Sequence, residues 1–304
     1  MNLSRHNFRH GPFLATVTDP HTIITPQESG LRFPEIIPVM RAKYEASIRE
    51  FAKIVAGCSD SGDLLRRIRM PSIPAPKRMA FLKLFRRTVA GVIDTEMSKK
   101  ISNVPTSTLI ENYGDYFKPI SVLKEQFANL SDLSIAILAV SIGEYDNRGQ
   151  QGYALSSQFF NWFDAKFSKE LTIDGPRGAG KDIELCSVLP TFTGSCPCDF
   201  VIRENANRDV IAVGFARYDS TRGGAQSDDR TGGNTAKVYM IQAFCKPPMK
   251  PLRIIFVADG PGLAHSDTWA EAVKLDGSWN DNVRVATLKL LDQRVTLDWL
   301  RSGN

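Results

Sequence analysis

The residues best placed to do chemistry in this chain are acids. Asp199 opens the run Asp199-Phe200-Val201-Ile202, and a second apolar run, Val210–Phe215, follows after a polar turn. Both runs have the length and composition of short buried strands. A carboxylate at the mouth of one buried strand, with another strand beside it, can present a ligand to a divalent cation. Hydrolysis of a phosphodiester needs such an ion to activate water and to offset charge developing on the scissile phosphate. Mg²⁺ keeps several waters and takes few protein carboxylates, so two acids suffice. Asp199 is the first metal ligand expected and Glu184, on the preceding segment, the second. The plain structural alternative has Asp199 capping a strand and Glu184 in solvent.

Two further constellations flank this one. Phe215–Asn234 gathers Arg217, Asp219, Arg222, Gln226 and Arg230 among glycines. Arg and Gln side chains read base edges bidentately, and glycine lets backbone approach a ligand. The stretch is too polar for a core, which predicts a surface loop suited to substrate contact. Gly175-Pro-Arg-Gly-Ala-Gly180-Lys181 satisfies the G-x-x-x-x-G-K part of a phosphate-binding loop. Asp182 nevertheless stands where a Ser or Thr hydroxyl would meet Mg²⁺, and Pro190 shortens any helix that follows. A tight turn placing Lys181 and Glu184 is expected there, with an NTPase as the lesser alternative and no nucleotide cofactor.

Positioning these groups requires an α/β frame. After Leu171 the texture is strand, strand, helix, strand: Phe200–Ile202, Val210–Phe215, a helix near Ala236–Phe244, and Arg253–Ala258. A helix near Ser266–Val273 and an amphipathic helix over Arg284–Leu300 complete the reading. Before that point the pattern is helical. Apolar positions repeat at helical spacing over Ile37–Ala56, Ser61–Met70, Lys77–Met97, Val122–Leu130, Leu133–Val140 and Tyr153–Phe167. Residues 1–36 read as an irregular arm. The expected division is a mainly helical region over 1–150 and an α/β core over 151–304.

With 304 residues, 42% hydrophobic and 23% charged, the chain has ordinary globular composition. Its net charge of +5 is unevenly spread. Arg66, Arg67, Arg69, Lys77, Arg78, Lys83, Arg86 and Arg87 crowd one stretch, a field suited to phosphate backbones or to a solvated helix face. Lys83, Arg86 and Arg87 share one face of a predicted helix and are the expected DNA-backbone contacts. Five cysteines at uneven spacing do not make a disulfide framework. Together with the lack of a signal-peptide or membrane-length apolar run, they predict a cytoplasmic protein with no membrane partner.

Three pieces in order carry a resemblance: Cys198-Asp199-Phe200-Val201-Ile202, the strand Val210–Tyr218 followed by Arg222-Gly-Gly-Ala-Gln226, and Phe256-Val-Ala-Asp259-Gly-Pro-Gly262. Over roughly Asp174–Val273 the sequence resembles type II restriction endonucleases of the PD-(D/E)XK superfamily, with the flavour of the GATC-cutting branch. The resemblance implies a mixed central sheet flanked by helices. It also implies Mg²⁺-dependent, sequence-specific hydrolysis of double-stranded DNA, and a homodimer on a palindromic site. Asp199 takes the place of the family's metal-binding Asp. One departure stands out: the active-site strand reads Val213-Gly214-Phe215-Ala216-Arg217, without the family's acid-x-lysine pair. The missing acid is then expected from Glu184, or else Asp219. Arg217 or Gln226 would take the lysine's place and hold the phosphate or the attacking water, or Lys181 would supply the amine, and Asp219, Arg222 and Arg230 would lie against DNA. The missing pair also leaves open a DNA-binding protein that has lost catalysis.

Overall fold

Met40, Tyr44, Ile48, Phe51 and Val55 recur every three or four residues, so one face of helix α1 (Ile36–Ala56) is buried along its length. Gly57 closes it, its N–H returning to Ile54 O. The computed structural model describes residues 12–28, 30–144, 146, 150–220 and 228–302, and for 228–232 the backbone only. The chain falls into two units, and residues 30–148 form the helical one.

In the helical unit α1 is followed by α2 (Ser61–Ile68), α3 (Ala75–Thr88), α4 (Thr95–Ser98), α5 (Thr106–Tyr113), α6 (Ile120–Ala128) and α7 (Asp132–Gly143). The Asp60 carboxylate accepts Asp63 N–H and starts α2. The helix expected over Lys77–Met97 is two helices. Chain turning through Ala90–Ile93 separates them, and Asp94 recaps the second by accepting Met97 N–H. Periodicity could not show this break, because Val89, Ala90 and Ile93 stay buried on the same core across it. Arg69 is buried and donates to Ser98 O at 2.9 Å, Val104 O at 2.7 Å and Thr106 Oγ1 at 2.7 Å, binding the loop that enters α5.

The other unit is α/β. Helix α8 (Gln150–Phe167) leads into β1 (Leu171–Asp174). There follow β2 (Ile183–Glu184), α9 (Leu185–Val188), β3 (Pro197–Cys198), β4 (Phe200–Glu204), β5 (Val210–Tyr218), α10 (Asp228–Phe244), β6 (Arg253–Asp259), α11 (Ser266–Leu275) and β7 (Val283–Ala286). The five-stranded sheet has the order β1-β4-β5-β6-β7. Strands β1, β4 and β5 are antiparallel neighbours, whereas β5, β6 and β7 run parallel. Parallel neighbours need a crossover, and α10 and α11 supply them. The fold class is thus a mixed sheet flanked by helices.

The central strands are apolar on both sides because both faces are covered. Phe200, Ile202, Ala212, Ile255 and Val257 face α8 and the C-terminal residues Trp299 and Leu300. Val201, Val213, Phe215, Ile254 and Phe256 face Ile241 of α10 and Ala272 and Leu275 of α11. The helix expected over Arg284–Leu300 is instead β7 followed by the short helices Leu291–Arg294 and Leu297–Arg301. Val283 and Val285 pair beside β6, so a tertiary partner overrides a helical pattern.

Pro12–Glu28, read from sequence as part of the helical region, belongs with the α/β unit. Leu14 N–H donates to the Asp276 carboxylate at 3.0 Å, Thr25 N–H to Asp259 at 2.7 Å, and Gln27 N–H to the Tyr218 hydroxyl at 2.7 Å. No helix among the described residues is long and apolar enough to cross a membrane.

Candidate functional site

Strand β4 begins at Phe200, and the residue before it is held by β5 from two directions. Asp199 N–H donates to Gly214 O at 3.0 Å, and Ala216 N–H donates to Asp199 Oδ2 at 2.8 Å. The half-buried carboxylate therefore has a fixed orientation. Burial raises its proton affinity, and the nearby Asp182 carboxylate adds to the rise. The Ala216 N–H and the Lys237 ammonium act against it, and the net shift is upward. Perturbation by burial beside a cation is a mark of functional carboxylates.

Asp199 borders a cavity of about 350 Å³ between the sheet and α10 and α11. Phe215 and Arg217 of β5 line it, and Asp219 follows just past the end of the strand. Phe215, Phe256, Leu263, Leu275 and Val285 make its apolar walls, and Asn234, Lys237, Thr268 and Glu271 add polar groups from the two helices. Arg217 holds Asp219 through Nε at 2.8 Å and Nη2 at 2.6 Å. The Lys237 ammonium lies 4.1 Å from the centre of the Phe215 ring, a cation–π contact that keeps it at the wall.

Gly214 points to the opposite face of the sheet, where a Cβ would overlap the Phe200 ring. An acidic side chain at this place in β5 has no room. Gly175 has a related role: a Cβ there would come within 2.8 Å of the Phe160 ring and would strike the Asp199 carbonyl. The first glycine of the phosphate-loop-like segment thus lets the chain pass close behind Asp199. After that segment comes the two-residue strand β2, paired with β3, so the helix N-terminus a nucleotide loop needs is not there.

No family model, curated protein or solved structure matches this chain. The site must be read from its own geometry.

The expected residues are only partly brought together. Asp199, Arg217 and Asp219 share the cavity, whereas Glu184 and Lys181 do not line it. The Glu184 carboxylate accepts Ser195 Oγ–H at 3.1 Å and Cys196 N–H at 3.2 Å, closing the segment between β2 and β3. Lys181 is exposed on the loop. Arg222, Gln226 and the side chain of Arg230 lie outside the described residues, and Asp228–Asn234, expected as loop, is the first part of α10. Cys196 and Cys198 are buried packing residues, and burial pushes the Cys198 thiol up to about 12.

On the helical unit, Arg86 is exposed, but Lys83 is engaged by Asp146 and the Tyr44 hydroxyl, and Arg87 by Glu144 at 2.6 Å. The expected basic face is partly neutralised in place. Sequence reasoning missed Lys237 and Glu271, and took Asp182 only as a departure from a phosphate-binding loop. Lys237 lies just before Val238 and Ile241 on the buried face of α10, which set it at that face's edge. Nothing in the sequence tied it to Asp199.

The donor set bears on a metal ion. Asp199 keeps one carboxylate oxygen beyond its bond to Ala216, while Arg217 engages Asp219. Among the described residues no three His, Cys, Asp or Glu side chains group as a metal cluster. A dedicated protein cage does not fit. A Mg²⁺ bound through one carboxylate, waters and substrate phosphate oxygens does.

Proposed function

We propose that the chain is a Mg²⁺-dependent endonuclease of the PD-(D/E)XK type that cuts double-stranded DNA at a specific sequence, acting as a homodimer. The observation that carries this reading is the placement of Asp199. It stands at the mouth of β4, fixed by Ala216 of β5, on a cavity shared with Lys237 and Arg217. The mixed sheet, with its antiparallel β1-β4-β5 part and the crossover through α10 to β6, supports the same reading.

Asp199 would hold the ion, with phosphate oxygens and water completing its shell. When bound, Mg²⁺ supplies activated water and offsets charge on the scissile phosphate. Lys237, carried by α10, gives the ammonium that β5 lacks and is suited to orient an attacking water or a phosphate oxygen. Arg217 can turn its guanidinium from Asp219 to a phosphate, a bidentate exchange of one oxyanion for another. Exposed Arg86 would contact the DNA backbone.

A second reading, a DNA-binding protein without catalysis, draws on the contact between Phe200 and Gly214, which leaves no room for an acid there. Incubation of plasmid DNA with the protein and Mg²⁺ or Mn²⁺ separates the two. Discrete fragments that vanish with EDTA and in Asp199→Asn support the nuclease. DNA retardation without any cleavage, across both metals and a range of substrates, supports the second reading and overturns the first.

A further inference from the structure

The turn Asp259-Gly-Pro-Gly262 wraps around Asp219, the residue that holds Arg217. Asp219 N–H donates to Asp259 O at 2.8 Å, and Gly262 N–H donates to Asp219 O at 2.7 Å. The buried Asp259 carboxylate accepts Gly260 N–H at 2.8 Å and fixes the start of the turn. A Cβ at Gly260, where φ is +101°, would lie 2.5 Å from Asp219 O, and one at Gly262 would lie 3.0 Å from Asp219 Cβ. Only glycine lets the turn close this tightly. Asp219 is therefore clamped through its backbone just past the end of β5.

The two members of the ion pair differ in freedom. The Asp219 side chain is 9% exposed and the Arg217 side chain 36%. Arg217 directs both Nε and Nη2 to the single oxygen Oδ1, and both residues border the cavity that Asp199 also lines. When Arg217 turns to a phosphate, Asp219 cannot follow. The guanidinium then exchanges one charge-assisted contact for another, and the two nearly cancel.

We propose that Asp219 determines specificity by competing with phosphate for Arg217, so that a phosphate recruits the guanidinium only when other groups of the site hold it too. A DNA strand lying across the surface at random offers one oxyanion in place of another and gains little. A strand seated with its phosphate near Asp199 and Lys237 has further contacts that make the exchange favourable. Discrimination of this kind weakens the wrong complex more than the right one. The proposal rests on the nuclease reading for the seated strand, but not for the competition between Asp219 and an external phosphate.

The test follows binding of a random-sequence duplex to the full chain in EDTA by fluorescence anisotropy, as a double-mutant cycle on Asp219→Asn and Arg217→Gln. Asp219→Asn is expected to bind roughly tenfold more tightly, since Arg217 is released from a charged partner. In the Arg217→Gln background the same change should alter affinity by less than about threefold. Any further contact of Asp219 is lost in both backgrounds and cancels in the comparison. A second measurement needs no substitution at Asp219. In arginine-labelled protein, the Nε–H signal that disappears in Arg217→Gln should keep its position when random duplex is added. With Mg²⁺, plasmid digestion by Asp219→Asn should add fragments from sites that the unsubstituted protein leaves intact. The proposal is overturned if Asp219→Asn binds random duplex no more tightly, or if its gain survives in the Arg217→Gln background. A signal that moves with random duplex, or a cleavage pattern unchanged in Asp219→Asn, overturns it equally. A cycle that behaves as expected in a protein that never cuts DNA would instead remove the nuclease reading alone.

Discussion

The ring of Phe200 fills the space over Gly214 on the neighbouring strand, so the residue that opens β4 and the glycine of β5 form one packing unit. Asp199 and Phe215, the residues beside them, face the opposite layer and border the cavity. This pairing excludes any side chain from position 214, while the Ala216 N–H sets the orientation of the Asp199 carboxylate.

Gly214→Ala should therefore destabilise the α/β unit by about 3 kcal/mol, because the buried ring and both strands must move to admit one methyl group. Chemical denaturation reads the loss. The pair Gly214→Ala with Phe200→Leu should recover part of it, and a Gly214→Ala protein as stable as the parent would contradict the packing described.

Asp199→Asn should raise thermal stability in metal-free buffer at neutral pH. Burial, first, and Asp182 after it raise the folded-state proton affinity of Asp199 above that of the unfolded chain. The cost therefore begins as the pH rises through about 4, where the unfolded carboxylate ionises, grows up to the folded-state titration and is constant above it; well below about pH 4 both states are protonated and there is none. The gain from Asn should fade on acidification. Melting temperatures of the two proteins between pH 3.5 and about 8 test the sign.

Lys237→Met should reduce DNA cleavage by about 10²-fold or more, with Lys237→Arg recovering part of the cation but not its compact geometry. Single-turnover assays at saturating DNA measure this apart from binding. Equal rates in all three proteins would remove Lys237 from the reaction.

Arg69 and Arg86 should behave oppositely although they lie in one basic stretch. Arg69→Met leaves Ser98 O and Val104 O without their donor and should cost about 3 kcal/mol of stability. Arg86→Ala should change stability by less than about 0.5 kcal/mol and lower the salt dependence of DNA binding by about one counterion. Denaturation and binding titrations at several salt concentrations distinguish them.

Asp259→Ala should destabilise strongly, by about 3 kcal/mol or more, since the buried carboxylate accepts N–H bonds from Thr25, Gly260 and Leu288. Proteolysis within the first thirty residues should also accelerate, because Thr25 loses its anchor. Unchanged protease resistance would show that the bonds of Leu14 to Asp276 and of Gln27 to Tyr218 hold that segment without Asp259.

Local pattern was enough for much of the frame. Helical spacing placed α1 to within one residue and α8 over Tyr153–Phe167, short only of its first turn, because long amphipathic faces carry a repeated signal. The runs at Phe200, Val210 and Arg253 announced β4, β5 and β6, and the lone acid before Phe200 marked Asp199. Those features depend on residues adjacent in sequence. Strand β1 and strand β7 were not legible, since each is only four residues long and is defined by a partner strand far along the chain. The membership of the site was decided only by folding. Glu184 and Lys181 precede Asp199 closely in sequence, yet β2–β3 pairing turns Glu184 to Ser195 and Cys196. Lys237 and Glu271 reach the cavity because crossover helices must return across the sheet to join parallel strands. Composition records which side chains are present, whereas the direction each faces follows from the strand pairing and helix packing that close the core.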